Sequence, residues 1–126
     1  MTIEHFGIAV RDMRKSLAFY TASLKPLGLK PTLGDGKSWQ MFGDKAHSQF
    51  GIHPSSRPTP KIHFAFRAKS PRAVDEFYLA AIKAGAKDNG KPGPREDYGY
   101  AAFVIDPNGH NLEAVNFTAP KRRSKR

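Results

Sequence analysis

The sequence predicts an α+β fold in which two βαβββ modules build a curved mixed sheet around a cavity. Two dipeptides carry that reading: His5-Phe6 recurs as His63-Phe64, and Phe19-Tyr20 recurs as Phe77-Tyr78, both at an offset of 58 residues. The same offset sets Asp12 against Ser70, two residue types that start helices. Elsewhere the two halves diverge, with Leu17 falling on Asp75 and Ser16 on Val74, as in an old duplication.

Each copy reads as a strand followed by a helix. In the first, IEHFGIAV is short and apolar, Asp12 offers a side-chain oxygen to the free N–H groups of a helix start, and Met13, Leu17, Tyr20 and Leu24 recur at helical spacing until Pro26 and Gly28. In the second, IHFAF leads to Ser70 as N-cap and Pro71 at the first helical position, where a missing N–H costs little. Val74, Phe77, Tyr78, Ala81 and Ile82 then form an apolar stripe that ends at Gly85. Three shorter strands are expected after each helix, near residues 30–33, 38–42 and 48–53 and near 86–88, 99–105 and 111–117.

Strand alternation sorts the side chains by face. Phe6, Ile8 and Val10 oppose His5, Gly7 and Ala9, while Ile62, Phe64 and Phe66 oppose His63, Ala65 and Arg67. The bulky face can cover helices. The other carries a histidine flanked by small residues in both copies, which leaves room for a polar cavity.

A chain of 126 residues is sized for one domain, expected over residues 1–118 with modules of about 1–57 and 58–118. The absence of cysteine excludes disulfides and thiolate chemistry, so a metal would be held by nitrogen and oxygen. No apolar run approaches the roughly 18 residues of a membrane span, and MTIEHFGIAV lacks the pattern of a cleaved leader, so a cytoplasmic protein without membrane contact is expected. The net charge of +10 is concentrated: APKRRSKR holds five of the 21 basic residues and no acidic one. Residues 119–126 are therefore expected to be a disordered, solubilising tail, with nucleic-acid contact as the less favoured reading.

Glu113 follows the turn Asp106-Pro107-Asn108-Gly109 and shares a face with Asn111 and Val115. If the sheet curls so that His5, His63 and Glu113 face one cavity, two imidazoles and a carboxylate converge on a divalent ion of Fe, Mn, Ni, Co or Zn, with positions left open for water or substrate. A lone strand histidine is usually a hydrogen-bonded core residue; the matched placement of two favours ligands.

Residues 1 to about 117 resemble the vicinal oxygen chelate superfamily of glyoxalases, extradiol dioxygenases, fosfomycin-resistance thiol transferases and bleomycin-binding proteins. The segments IEHFGIAVRDMRKSLAFY, KIHFAF and AAFVIDPNGHNLEAV carry the resemblance. It implies the glyoxalase/bleomycin resistance/dihydroxybiphenyl dioxygenase fold, the ligand set His5, His63 and Glu113, and pairing of two chains in a homodimer. Glyoxalase I-like members add an acidic fourth ligand on the fourth strand, where this chain has HSQFGIHPS and only His53 as a candidate; Glu113 is then the residue left for proton transfer. Fosfomycin-resistance enzymes carry a threonine where this chain has Gly7, and His110, the one extra histidine near the last hairpin, is expected to face solvent rather than act as a dioxygenase base.

The function implied is a glyoxalase-like, metal-dependent lyase, isomerase or dioxygenase acting on a small oxygenated metabolite by bidentate oxygen chelation. The alternatives are a non-catalytic small-molecule binding protein of the bleomycin-resistance type and a fosfomycin-resistance-like thiol transferase. The Gly- and Pro-rich segment 90–100 reads as a loop able to cover the cavity, with Arg95, Tyr98 and Tyr100 as candidate substrate contacts. Trp39 and Phe42 are candidates for an apolar wall, with ordinary core as the simpler role.

Overall fold

A computed structural model describes residues 2–45 and 47–118; the basic tail lies outside the described residues. The first module runs β1 (Phe6–Val10), α1 (Met13–Leu24), a 3-10 turn (Lys25–Leu27), β2 (Lys30–Gly34), β3 (Gln40–Gly43) and β4 (Ser48–Pro54). The second runs β5 (His63–Arg67), α2 (Pro71–Lys83), β6 (Lys87–Arg95), β7 (Gly99–Ile105) and β8 (Asn111–Asn116). Their sheets have the orders β1-β4-β3-β2 and β5-β8-β7-β6, each with one parallel pair between its first and last strand and antiparallel pairs elsewhere. The expected βαβββ topology is thus present twice.

Both helices begin where their caps require. The Asp12 carboxylate accepts from Lys15 N at 3.0 Å, and the Ser70 hydroxyl accepts from Ala73 N at 3.1 Å, with Pro71 opening α2. The apolar faces of both sheets and both helices merge into one continuous core. Across the module boundary, Phe6 meets Phe64 edge-on at 5.3 Å between ring centroids, and Phe50 contacts Phe66 at 5.6 Å. Phe42 belongs to this core, whereas Trp39 is partly exposed on the far face of the first sheet.

That far face carries Met41 beside Trp39. Gly7 and Gly51 lie opposite each other in the β1–β4 ladder, and the Met41 thioether lies so closely over Gly51 that an added Cβ would collide with its sulfur. The absence of a side chain at Gly51 is what lets Met41 lie across the strand.

The second module departs from expectation at β6. Residues 87–95 form a nine-residue edge strand, so most of the segment expected to be a covering loop is paired with β7. Its prolines and glycines disguise it. Pro92 and Pro94 are tolerated because the strand has a neighbour on one side only, and the register shifts around Gly90 absorb its positive φ of 150°. Only a tight turn, with Tyr98 N donating to Arg95 O at 3.3 Å, remains between β6 and β7. Among the described residues, no helix is long and apolar enough to cross a membrane.

Candidate metal and substrate site

The Asp106-Pro107-Asn108-Gly109 turn fixes where Glu113 stands. Asp106 is buried, and its Oδ1 accepts from Asn108 N at 2.9 Å and His110 N at 2.8 Å, closing the turn on itself. Its Oδ2 accepts from the Tyr20 hydroxyl, and Asn108 Nδ2 donates to Ser16 Oγ at 3.2 Å, so the hairpin of the second module is docked on α1 of the first. His110 is fully buried rather than facing solvent. Its Nδ1 accepts from Ile62 N at 3.1 Å, and Asn111 N donates to Ile62 O at 2.9 Å, which ties the start of β8 to the residue before His63. A short turn with its own carboxylate pulled this histidine inward, because its ring nitrogen satisfies a backbone donor that would otherwise be unpaired.

The ladder then sets His63 beside Asn111 and Ala65 beside Glu113, with all four side chains on the face away from the helices. His63 Nδ1 donates to Asn111 O at 2.9 Å, and its Nε2 lies 3.1 Å from Glu113 Oε1. Glu113 is only 6% exposed, whereas the His63 ring is open to solvent on one side. Phe103, opposite Glu113 on β7, stacks against the His63 ring at 6.1 Å.

Tyr98 reaches the same carboxylate. Its hydroxyl donates to Glu113 Oε2 at 3.3 Å, and its pKa is raised by burial first and by the Glu113 charge second, with Arg95 acting in the opposite direction. Arg95 stands at the same end of the face, its guanidinium 5.3 Å from the centre of the Phe103 ring. Tyr100 lies on the other side of β7: its hydroxyl donates to Asp75 of α2 at 2.7 Å, which turns it toward the helix layer and away from Glu113. Alternation along β7 puts it on the face of Ala102 and Val104, opposite Ala101 and Phe103.

His5 immediately precedes β1 and is exposed on the first sheet's far face. Its Nδ1 donates to Glu4 Oε1, while Glu4 Oε2 lies 3.2 Å from His47 Nδ1. The His5 contact is the largest cause of the lowered Glu4 pKa. These residues line an open depression of about 590 Å³ with Thr32, Trp39 and Met41. Among the described residues, no group of three or more histidine, aspartate or glutamate side chains could hold a metal ion. Within one chain the structure therefore joins His63 to Glu113 and leaves His5 with Glu4 and His47. His53 is exposed near the end of β4, opposite Ala9 in the ladder, and joins no such group.

Asn111, Arg67 and the Glu4–His47 pair were not singled out from the sequence. The first two could have been, since alternation places Asn111 with Glu113 and Arg67 with His63 on one face. Nothing in the pattern marks His47, which reaches Glu4 only through the β3–β4 connection.

Comparison with known proteins agrees with this architecture. The chain superposes on a glyoxalase/bleomycin resistance protein from Albidiferax ferrireducens T118 with a TM-score of 0.79 and 29% identity, covering 92% of this chain and 99% of that one. A glyoxalase/bleomycin resistance protein/dioxygenase family enzyme from Burkholderia phytofirmans PsJN gives a TM-score of 0.70 at 20% identity, over 93% and 99% of the two chains. A mutant of the fosfomycin resistance protein FosX from Listeria monocytogenes, complexed with Mn(II) and 1S,2S-dihydroxypropylphosphonic acid, gives 0.66 at 19% identity, over 89% and 86%. No curated protein matches significantly. Residues 2–114 match the family model of the Glyoxalase/Bleomycin resistance protein/Dioxygenase superfamily, and with the doubled βαβββ architecture this places the chain in that family, the vicinal oxygen chelate superfamily.

Proposed function

We propose that the chain is a metal-dependent, glyoxalase-like cytoplasmic enzyme that acts on a small oxygenated metabolite, with its metal held by His63 and Glu113 of one chain and His5 of a second copy. The observation that carries this reading is the pairing of His63 Nε2 with Glu113 Oε1 at 3.1 Å. Nδ1 is engaged by the Asn111 carbonyl, which leaves Nε2 as the ring atom facing the Glu113 carboxylate. A separation of 3.1 Å would suit a divalent ion bound by both atoms as neighbouring ligands, since two bonds of about 2.1 Å at roughly a right angle span about that distance. An imidazole with its far nitrogen bonded to a carbonyl is also how metal-ligating histidines are usually oriented.

A first-row divalent ion at this position would supply Lewis-acid polarisation of a substrate oxygen. The remaining tasks fall to the protein. Tyr98 holds the second Glu113 oxygen, which keeps the carboxylate aimed and provides a hydroxyl able to pass a proton to a neighbouring oxygen. Phe103 fixes the plane of His63. His5 completes the set from a second chain, since among the described residues its own chain gathers no three-ligand group around it. The Mn(II) complex of FosX supports a metal and an oxygenated small molecule on this fold; at 19% identity it does not select the reaction.

Elemental analysis with Mn, Fe, Co, Ni and Zn titrations tests the reading. Wild type should bind one ion per chain, and H5A, H63A and E113A should each lose it while remaining folded. Mixing H5A with H63A and allowing exchange should restore binding at about half of a fully mixed dimer's sites, because one hybrid site keeps all three ligands. A wild type that binds none of the five ions refutes the enzyme and leaves a metal-free binding site. Absence of restoration in the mixture refutes the shared site.

A further inference from the structure

A separate depression draws on both modules and shares no residue with the His63–Glu113 pair. It has a volume of about 460 Å³ and is lined by Gly28, Lys30, Asp44, Lys45 and Lys69. The backbone brings these residues together. Gly28 N donates to Lys25 O at 2.9 Å and Leu29 N to Leu24 O at 3.2 Å, which ends the first helical segment and turns the chain into β2 at Lys30. Gly28 takes the positive φ of 81° that this turn requires. The β2–β3 ladder pairs Lys30 with Gly43, the residue before Asp44 and Lys45. From the second module, Lys69 stands between two anchored residues. Ala68 N donates to Val115 O at 2.8 Å and Ala68 O accepts from Asn116 Nδ2 at 2.9 Å, while Ser70 caps α2. Lys69 Nζ lies 4.0 Å from the position that a Cβ on Gly28 would take, so its amine is set against the turn that leads into β2.

Three ammonium groups line this concavity with one carboxylate, and Asp44 Oδ1 already accepts from His47 N at 3.0 Å. Among the described residues, the side chains of Lys30, Lys45 and Lys69 have neither an ion-pair partner nor a hydrogen bond. A cleft lined by one sign of charge concentrates counter-ions, and a multivalent anion offsets the mutual repulsion of its cations. We propose that the depression is a binding site for a compact phosphate polyanion, held by Lys30, Lys45 and Lys69. Lysine offers a point charge with three donors, which suits tetrahedral phosphoryl oxygens better than the planar carboxylate that arginine matches. The volume falls in the range of small-ligand pockets. A nucleic acid tracks basic groups spread along a face, whereas these three converge on one hollow. The site needs no metal and does not depend on the metal reading above.

The test is calorimetric titration of the full chain with pyrophosphate, and with acetate as a singly charged carboxylate, in metal-free buffer of low ionic strength. Wild type should bind one pyrophosphate per chain and no acetate, and the affinity should fall as salt shortens the screening length. K30Q, K45Q and K69Q should each weaken pyrophosphate binding by about three- to tenfold, the loss of one nearby charge. D44N keeps the acceptor for His47 N and removes a negative charge, so it should tighten binding. K87Q removes one positive charge from β6, outside the depression, and should leave the affinity unchanged. A Lys69 that only complements the carbonyls ending the 3-10 turn would lower the melting midpoint in K69Q and leave pyrophosphate affinity intact, which overturns its assignment. No pyrophosphate binding by wild type, a loss in K87Q equal to that in the three variants, or tighter binding of a single-stranded oligonucleotide with the same lysine dependence overturns the site.

Discussion

Replacing Tyr20 with phenylalanine isolates a buried bond that ties the last hairpin to the first module. The ring contacts survive, since Tyr20 packs at 4.9 Å against both Phe19 and Phe50 through carbon. What is lost is a hydroxyl donating to a buried carboxylate that keeps its bonds from Asn108 N and His110 N. A hydrogen bond to a charged group contributes about 1.5–3 kcal/mol, and the surviving partners argue for the lower part, about 2 kcal/mol. With an unfolding entropy near 2.1 cal/mol/K per residue, a chain of 126 residues has about 0.26 kcal/mol/K, so the midpoint should fall by about 8 °C. The same hydroxyl has its pKa raised, by burial first and by Asp106 second. A raised folded-state value contributes stability that is complete below the unfolded tyrosine value near 10 and is lost as pH rises beyond it, so Y20F should soften alkaline unfolding. Thermal melts from pH 7 to 11 measure both effects. A midpoint within about 2 °C of wild type at pH 7, or an unchanged alkaline limb, would refute the assignment of this bond as a stabilising tether.

Asp106→Ala should cost more, about 3–5 kcal/mol by denaturant titration, because four donors lose their acceptor at once. Ser70→Ala should lower stability by about 1 kcal/mol in the same assay, through loss of the α2 cap. Gly99→Ala should destabilise by about 1–3 kcal/mol, since the new Cβ would sit 2.5 Å from the Asn116 carbonyl oxygen, a backbone atom that cannot swing aside. Tyr98→Phe should change the melting midpoint by less than about 3 °C, its bond being long and partly exposed, yet weaken Mn(II) binding several-fold by freeing the Glu113 carboxylate.

Most of the topology was legible because it is written as a repeat: cap residues, apolar stripes and matched His-Phe pairs each bear on a local choice that the fold then keeps. The start of β6 was legible near residues 86–88 but its continuation to Arg95 was not, because prolines and glycines signal a loop unless it is known that the segment lies at a sheet edge, which only tertiary structure decides. The pairing of His63 with Glu113 followed from strand alternation and the turn before β8. Tyr100 was placed by residue type without following alternation to its end, which sends it to Asp75. The burial of His110 depends on a backbone donor from a residue 48 positions away, and no local pattern contains that partner.

Of the four edge strands, β2 carries Pro31 and β6 carries Pro92 and Pro94, so each presents an interrupted row of donors. The edge of β1 is occupied from within, as Thr59 N donates to Ala9 O at 3.0 Å, Ala9 N donates to Thr59 Oγ1 at 2.9 Å, and Ser55 N donates to Val10 O at 2.9 Å. A chain built from eight strands would otherwise offer templates for endless lateral addition. Here such growth is hindered at three of the four borders, β1, β2 and β6.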